Sequence, residues 1–286
     1  MFHVSGLVVM RRRFTIPIFL FVAALWCWAF VVEPYVFLVR RDVEVVRNAF
    51  PSGFENLKIV VVSDTHFGRG FHERWRLERI VASVNACKPD VILFLGDYTN
   101  GHFYQTAASD EDVVEVFSKF RAKYGKYAIM GNHDSMVGID AMTRNLSRAG
   151  IVVLRNASAK CSTAFGDFYV AGIDDPLFQD YSYSKTLADV PANAPLIFLA
   201  HTPSVVREIP QRADFVLSGH THGGQIRLPF VGNVFPLKNV PRKLVSGLAE
   251  SGGHTVYVSR GLGTSRLAVR FFCPPEFTVL KIIPKK

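Results

Sequence analysis

An α/β core is predicted by three features of this 286-residue chain. From about Leu57 onward, short apolar runs of strand length alternate with longer amphipathic stretches. Most of the short runs are continuously apolar, as strands buried on both faces are. Five of them end in Asp, His or Asn, at the carboxyl ends of strands, where open α/β sheets bind ligands. The length suits one ordinary domain or two small ones, and 49% hydrophobic residues exclude a disordered chain. Four Cys with no Cys-x-x-Cys exclude a disulfide scaffold and a thiolate zinc site.

The first element lies outside that core. A mean hydropathy of +0.19 is high for a soluble domain, and the excess is partly concentrated near the N-terminus. Phe14 to Val32 carries no charge, and as a helix it would be about 28 Å long, close to the hydrocarbon thickness of a bilayer. The run is long for a signal-peptide core and no Ala-x-Ala site follows it, which favours an uncleaved membrane anchor. This divides the chain into a basic segment at 1–13, an anchor at 14–32, a linker at 33–54 and a main domain at 55–286. Arg11, Arg12 and Arg13 abut the anchor, against Arg40, Arg41 and Arg47 beyond it. The tighter block favours a cytoplasmic N-terminus, a single pass and a main domain on the outer face of the cell membrane. Arg11-Arg12-Arg13-Phe14 fits a twin-arginine export pattern loosely, with Thr15-Ile16 departing from it.

Strands are expected at 57–63, 91–95, 127–130, 168–173, 196–200, 215–218 and 255–259, with a closing strand over Phe277–Ile283. Between them, Trp75–Cys87 places Leu77, Ile80, Val81 and Val84 on one helical face. Ser109 and Asp112 open a second helix carrying Val113, Phe117 and Phe120. A third is expected from Gly138 to Ala149, with Ile139, Met142 and Leu146 inward.

The chemistry follows the strands. The first runs into Asp64-Thr65-His66, the second into Gly96-Asp97, and the third into Gly131-Asn132-His133-Asp134. The fifth meets His201, and the sixth meets Gly219-His220-Thr221-His222-Gly223-Gly224. Five of nine histidines fall in these short segments. Alone, each segment reads as readily as a turn. Together they offer an oxygen and imidazole donor set suited to manganese, iron, zinc or cobalt.

This ordered set (D-x-H, G-D, G-N-H-D, a lone H, G-H-x-H) resembles the calcineurin-like metallophosphoesterases, and the likeness extends over about 55–283. GHTHGGQIRLP (219–229) and RGLGTSRLAVRFFCPPEFTVL (260–280) resemble its small membrane-associated bacterial branch, related to UDP-2,3-diacylglucosamine pyrophosphatases. The resemblance implies a four-layer αββα sandwich and two divalent ions, with manganese, zinc or iron foremost. One ion would be held by Asp64, His66, Asp97 and His222, and the other by Asp97, Asn132, His201 and His220, with Asp97 shared. It implies hydrolysis of a phosphodiester, pyrophosphate or phosphomonoester by attack of a metal-bridging hydroxide, with His133 as general acid for the leaving oxygen and Asp134 beside it as an orienting carboxylate. A phosphorylated lipid, a glycolipid or a small phosphoester is the implied substrate, and the bilayer the implied partner. The alternatives are a membrane scaffold that keeps the metals without catalysis, and a cyclic-nucleotide or nucleic-acid phosphodiesterase.

The remaining segments leave alternatives open. Residues 225–243 interleave Arg227, Lys238, Arg242 and Lys243 with Phe230, Val231 and Phe235. Such a loop fits an anionic head group, an anionic membrane surface, or a solvated loop with packed aromatics. Gly261 to Arg266 reads as a phosphate-binding backbone nest or as a plain turn. Cys161 and Cys273 are candidates for pairing if the domain lies outside the cytoplasm. The net charge of +9 includes three arginines before the anchor, which leaves 30 basic against 24 acidic residues beyond it. No aromatic-basic stripe accompanies that charge, so nucleic acid is not an expected partner.

Overall fold

The computed structural model describes residues 4–101 and 107–285; residues 1–3 of the basic segment lie outside the described residues. Helix α1 (Val4–Cys27) runs without a break into a wider π-helical stretch over Trp28–Val36. Pro34 sits inside that stretch, and its missing N–H is one reason regular α-helical bonding is not kept there. Thr15–Val36 is long and apolar enough to cross a membrane, so the apolar helix extends beyond the expected end at Val32. Residues 15–28 are exposed, and Ala29 is the first buried position.

The end of this helix is fastened to the rest of the molecule. Buried Glu33 accepts hydrogen bonds from Trp28 Nε1 (2.7 Å) and from the backbone N–H groups of Phe272 (2.9 Å) and Cys273. Arg79 donates to the carbonyls of Tyr35 (3.0 Å) and Val36 (2.8 Å), where a cation also meets the negative end of the helix dipole. Arg270 N–H donates to the Ala29 carbonyl at 2.9 Å.

Strand β1 (Val39–Arg47) follows at once, within the stretch read as a linker. It pairs in parallel with the final strand in chain order, β14 (Glu276–Pro284), from Val39 opposite Glu276 to Arg47 opposite Pro284. In between come β2 (Ile59–Val62), α2 (Phe71–Ala86), β3 (Val91–Phe94), α3 (Asp110–Ser118), β4 (Gly125–Ala128), α4 (Asn132–Val137), α5 (Ile139–Arg148) and β5 (Val152–Val153). The first sheet has the order β1-β14-β2-β3-β4-β5. A second sheet contains β6 (Ala157–Thr163), β7 (Gly166–Gly172), β8 (Leu196–Leu199), β9 (Phe215–Ser218), β12 (Gly247–Ser251) and β13 (His254–Val258), in the order β12-β13-β9-β8-β7-β6. Helix α6 (Tyr183–Leu187) lies between β7 and β8 in the chain, and the small hairpin β10–β11 (Arg227–Leu228 and Gly232–Asn233) follows β9.

The layers follow from side-chain alternation. Ile59 and Val61 of β2 face a core between the sheets with Val91, Leu93, Ile197, Leu199, Phe215 and Leu217. Val60 and Val62 face outward and pack with Ile92, Phe94 and the apolar faces of α2, α3 and α5. A third cluster covers the outer face of the second sheet, around Val205, Val206 and Ile209, with Leu187 of α6 packed against it. This is the four-layer αββα sandwich. Each fully buried Val, Leu or Ile contributes about 1.5–3 kcal/mol, so strands apolar on both faces are held from both sides.

Helix α3 begins where Ser109 suggests, with the Ser109 hydroxyl accepting the Asp112 N–H at 3.2 Å. Helix α2 starts four residues before the expected Trp75, after Gly70 at φ +109°. Cys161 lies in the core between the sheets and Cys273 beside the His222 carbonyl; both are free thiols.

Candidate metal centre

The parallel strands point their carboxyl ends at one place. Asp64 and His66 follow β2, Asp97 follows β3, Asn132 and His133 open α4 after β4, His201 follows β8, and His220 and His222 follow β9. The ends of two sheets thus converge on one cluster. All these side chains are buried except that of His220, which is partly exposed.

The backbone there is unusual. Asp64, His66, Asp97, His220 and His222 all have φ between +43° and +66°, where ordinary side chains are disfavoured by about 1–3 kcal/mol each. Hydrogen bonds between the loops hold them so. Asp64 N–H donates to the Gly96 carbonyl (3.0 Å), His66 N–H to the Asp97 carbonyl (3.1 Å), and His220 N–H to Asp64 Oδ1 (3.0 Å). Glycine is needed where the loops touch. A Cβ on Gly131 would lie 2.2 Å from Asp97 Oδ1, and one on Gly219 would lie 2.6 Å from Asp64 Oδ2.

Two ligand groups result. The donor atoms of Asp64, His66, Asp97 and His222 lie within 4.8 Å of one another, as do those of Asp97, His201 and His220. Asp97 Oδ2 belongs to both, at 3.6 Å from His66 Nε2 and 3.3 Å from His201 Nε2. Asn132 Oδ1 joins the second group, 2.8 Å from His220 Nδ1 and 3.2 Å from His201 Nε2. All seven expected ligands are therefore brought together, in the two sets that the motif resemblance implies.

The donor set fits divalent cations. His66 Nε2 and His222 Nε2 face each other at 3.1 Å in a buried space, and the Nδ1 atoms of both rings are buried without a hydrogen-bond partner among the described residues. Burial pushes the His66 imidazolium down to about 3 and that of His222 well below its usual range, so both rings are neutral and carry lone pairs. His220 is likewise lowered to about 4 by burial. Burial pushes the Asp64 carboxyl up to about 6. Burial opposes the charges of Asp97 and His201 too, but their mutual attraction wins and holds Asp97 well below and His201 well above the usual values. His201 Nδ1 lies 2.6 Å from the Leu95 carbonyl, which leaves Nε2 to face Asp97.

His133 and Asp134 occupy different positions relative to this cluster. The His133 ring stands edge-on against His66, with centroids 4.6 Å apart, and its Nε2 lies 3.5 Å from Ser265 Oγ. Its backbone N–H donates to Asp97 Oδ1 at 2.8 Å. Asp134 directs its carboxylate to the backbone: Oδ2 accepts from Asp97 and Gly131 N–H, each at 2.8 Å, and Oδ1 accepts from Tyr98 N–H at 2.9 Å.

Two buried cations support the cluster without any sequence motif to reveal them. Arg270 donates to the carbonyls of Gly263 (3.0 Å), Cys273 (2.8 Å) and Arg260 (2.9 Å), winding residues 260–273 around one guanidinium. Arg76 donates to the Thr65 (2.7 Å) and Leu262 (3.1 Å) carbonyls and pairs with Glu73 at 2.7 Å. Neither has a recognisable spacing: Arg76 is one of several charges along α2, and Arg270 is a single arginine among apolar residues. In the Gly261–Arg266 segment, the N–H groups of Gly261, Leu262, Gly263 and Ser265 go to Ser259, Ser63, Asp64 and Gln225. That segment is a packed turn and not an open phosphate nest.

Beside His66, a cavity of about 230 Å³ extends to Pro34 and Tyr35 at the end of the apolar helix, with Arg69 and Asn100 in its wall. Phe230 and Phe235 of the 225–243 loop are exposed and not packed.

Residues 57–224 match the model of the calcineurin-like phosphoesterase family. The chain is 33% identical over 260 residues to the uncharacterized metallophosphoesterase YkuE of Bacillus subtilis, covering 89% of this chain and 88% of that protein. It is 32% identical over 250 residues to the phosphodiesterase YaeI of Escherichia coli, covering 84% and 88%. It is 31% identical over 256 residues to a transmembrane protein with metallophosphoesterase domain from Danio rerio, covering 83% of this chain and 55% of that one. With strand ends, ligand geometry and kinship in agreement, the chain belongs to the calcineurin-like phosphoesterases and is a metal-dependent phosphoester hydrolase.

Proposed function

We propose that the protein is a single-pass, membrane-anchored phosphoesterase that uses two divalent ions to cleave a phosphodiester, pyrophosphate or phosphomonoester bond of a lipid or glycolipid. The observation that carries this reading is the shared Asp97 Oδ2, which faces both ligand groups. Asp64, His66, Asp97 and His222 would hold one ion, and Asp97, Asn132, His201 and His220 the other. A pair of dications there supplies Lewis-acid polarisation of the phosphoryl oxygens and activation of water.

The chain supplies the rest. Burial keeps His66, His220 and His222 neutral, so these ligands lose no proton on binding near neutral pH. His133 stands beside the ligand cluster and gives a proton to the leaving oxygen as the P–O bond breaks, while the oxygen of water bonds to phosphorus and the proton that the water loses passes to solvent, from which His133 is reprotonated. Asp134 is a positioning residue that fixes Asp97 through its backbone.

A lipid substrate is supported by the cavity that joins His66 to Pro34 and Tyr35 at the end of the apolar helix. The boundaries in this reading are an anchor at 14–32 and a hydrolase domain at 55–286 whose first sheet also takes in β1 from the preceding stretch, on the outer face as the arginine block before the anchor favours. The direct test is hydrolysis of bis(p-nitrophenyl) phosphate, p-nitrophenyl phosphate and a fluorescent phospholipid by the full chain, with metal content verified by elemental analysis. Activity on the phospholipid in micelles supports the lipid reading. A fully loaded protein inert on all three would overturn the enzyme.

A further inference from the structure

We propose that the β10–β11 hairpin, together with Leu267 and Phe272, is a membrane seat: it rests in the interfacial layer of the same bilayer that holds the N-terminal helix, with anionic lipid as its partner. The seat comprises Leu228, Phe230, Val231, Phe235, Leu267 and Phe272, whose exposures run from 43% at Leu228 to complete at Phe230. Large apolar side chains gathered in this way on a surface mark an interaction site.

What covers them follows from how they are tied to the helix. Ala29 and Glu33 bond to Arg270, Phe272 and Cys273 as described above. Phe271 is bridged to Ile226, with Arg227 N–H donating to the Phe271 carbonyl and Phe271 N–H to the Gln225 carbonyl, each at 2.9 Å. Two hydrogen-bonded steps therefore lead from the helix to the hairpin. The first contact falls at Ala29, just past Trp26 and Trp28, and indole rings prefer the headgroup level of a bilayer. The hairpin is thus held at the height where the helix leaves the hydrocarbon.

Charge agrees with this placement. Lys238, Arg242 and Lys243 are exposed on the loop that continues from the hairpin, where cations meet anionic headgroups at about 1 kcal/mol each. Arg227 is partly exposed at its base. The Glu33 and Arg79 fastenings prevent the domain from swinging freely on a tether, so helix and hairpin engage the bilayer together. The seat rests on the proposed membrane anchor and not on the proposed activity, and its test uses no substrate.

The full chain, carrying Cys27→Ser and Cys87→Ser, receives a single exposed thiol through Val231→Cys, Phe235→Cys or, as control, Ala164→Cys. Ala164 lies in the turn between β6 and β7, at the opposite end of the sheets from the metal centre. Each variant is labelled with an environment-sensitive fluorophore and reconstituted in phosphatidylethanolamine–phosphatidylglycerol vesicles. Expected are blue-shifted emission at positions 231 and 235 and its loss when the acyl chains carry a quencher, with neither change at 164. The two labelled sites are on an exposed hairpin and its continuation, and circular dichroism verifies the fold. Labels at 231 and 235 as wet and unquenched as that at 164 would overturn the seat.

Discussion

Asp134 accepts the backbone N–H of Asp97 at 2.8 Å, fixing in left-handed backbone the one carboxylate that both ligand groups share. The same oxygen takes the Gly131 N–H, and the other takes that of Tyr98. Asp134→Asn would turn an amide NH₂ towards one of these donors. Leaving a buried donor unsatisfied costs about 1–3 kcal/mol, so thermal unfolding should move to lower temperature and metal content should fall. An unchanged melting temperature with full metal loading would show that the carboxylate is not what holds Asp97.

His133→Ala should leave metal content intact and reduce turnover by about 10²–10⁴ on an alkyl phosphoester, the usual worth of a positioned general acid. The loss should shrink on p-nitrophenyl esters, whose leaving oxygen needs little protonation. Equal losses on both classes of ester would assign His133 to binding or support.

Metal affinity should fall as pH falls, with a calculable sign. Attraction to Asp97 outweighs burial and holds the His201 proton on at neutral pH, so a cation taken up there must displace it. Asp64, raised by burial to about 6, must lose a second proton below that pH. His66 and His220, lowered to about 3 and about 4, release none in this range. Affinity then declines by up to about tenfold per pH unit for each proton displaced. Calorimetric titration of chelator-stripped protein with Mn²⁺, in buffers of different ionisation enthalpy, counts those protons. Uptake without proton release between pH 5 and 8 contradicts the pairing of His201 with Asp97.

Gly131→Ala places a methyl 2.2 Å from Asp97 Oδ1 and 2.7 Å from its nitrogen. Overpacking of this kind typically costs about 1–3 kcal/mol, and the atom displaced is a ligand. Metal loading should therefore suffer more than stability, as elemental analysis and a thermal melt on the same sample would reveal.

Glu33→Ala removes the acceptor of two hydrogen bonds from residues 272–273 to the helix end and of one from Trp28 within the helix. Amide hydrogen exchange at Phe272 and Cys273 should accelerate in the reconstituted protein, while the strands of both sheets keep their protection. Unchanged exchange at those two amides would mean that the helix is held by other contacts.

These residues also mark how far the sequence could be read. The buried strands β2, β3, β8 and β9 are almost wholly apolar, and six of the seven expected ligands follow them while Asn132 follows β4, so core and metal site were both legible. Strand β1 was not: VRRDVEVVR buries only Val43 and Val45, because it is an edge strand with one face in solvent, and its charges resemble those of a linker. Strands β6 and β12 are outer strands of the second sheet with the same half-buried character. The work of Glu33, Arg76 and Arg270 was hidden for a different reason. Each bonds to backbone groups brought together only by tertiary folding, and a lone charged residue has no spacing by which to recognise it. Gln225 and Ser63, which hold the turn after β13 against the ligands, are equally silent.

The pairing of β1 with β14 has a consequence for synthesis. Strand β14 is translated after every other strand, yet it stands between β1 and β2 in the first sheet. Until it arrives, the strand next to the apolar helix has no neighbour and β2, which leads into Asp64 and His66, has an open edge. The apolar helix is therefore complete long before the hydrolase is assembled. Completion of the sheet then couples the maturation of the catalytic centre to the last strand to emerge.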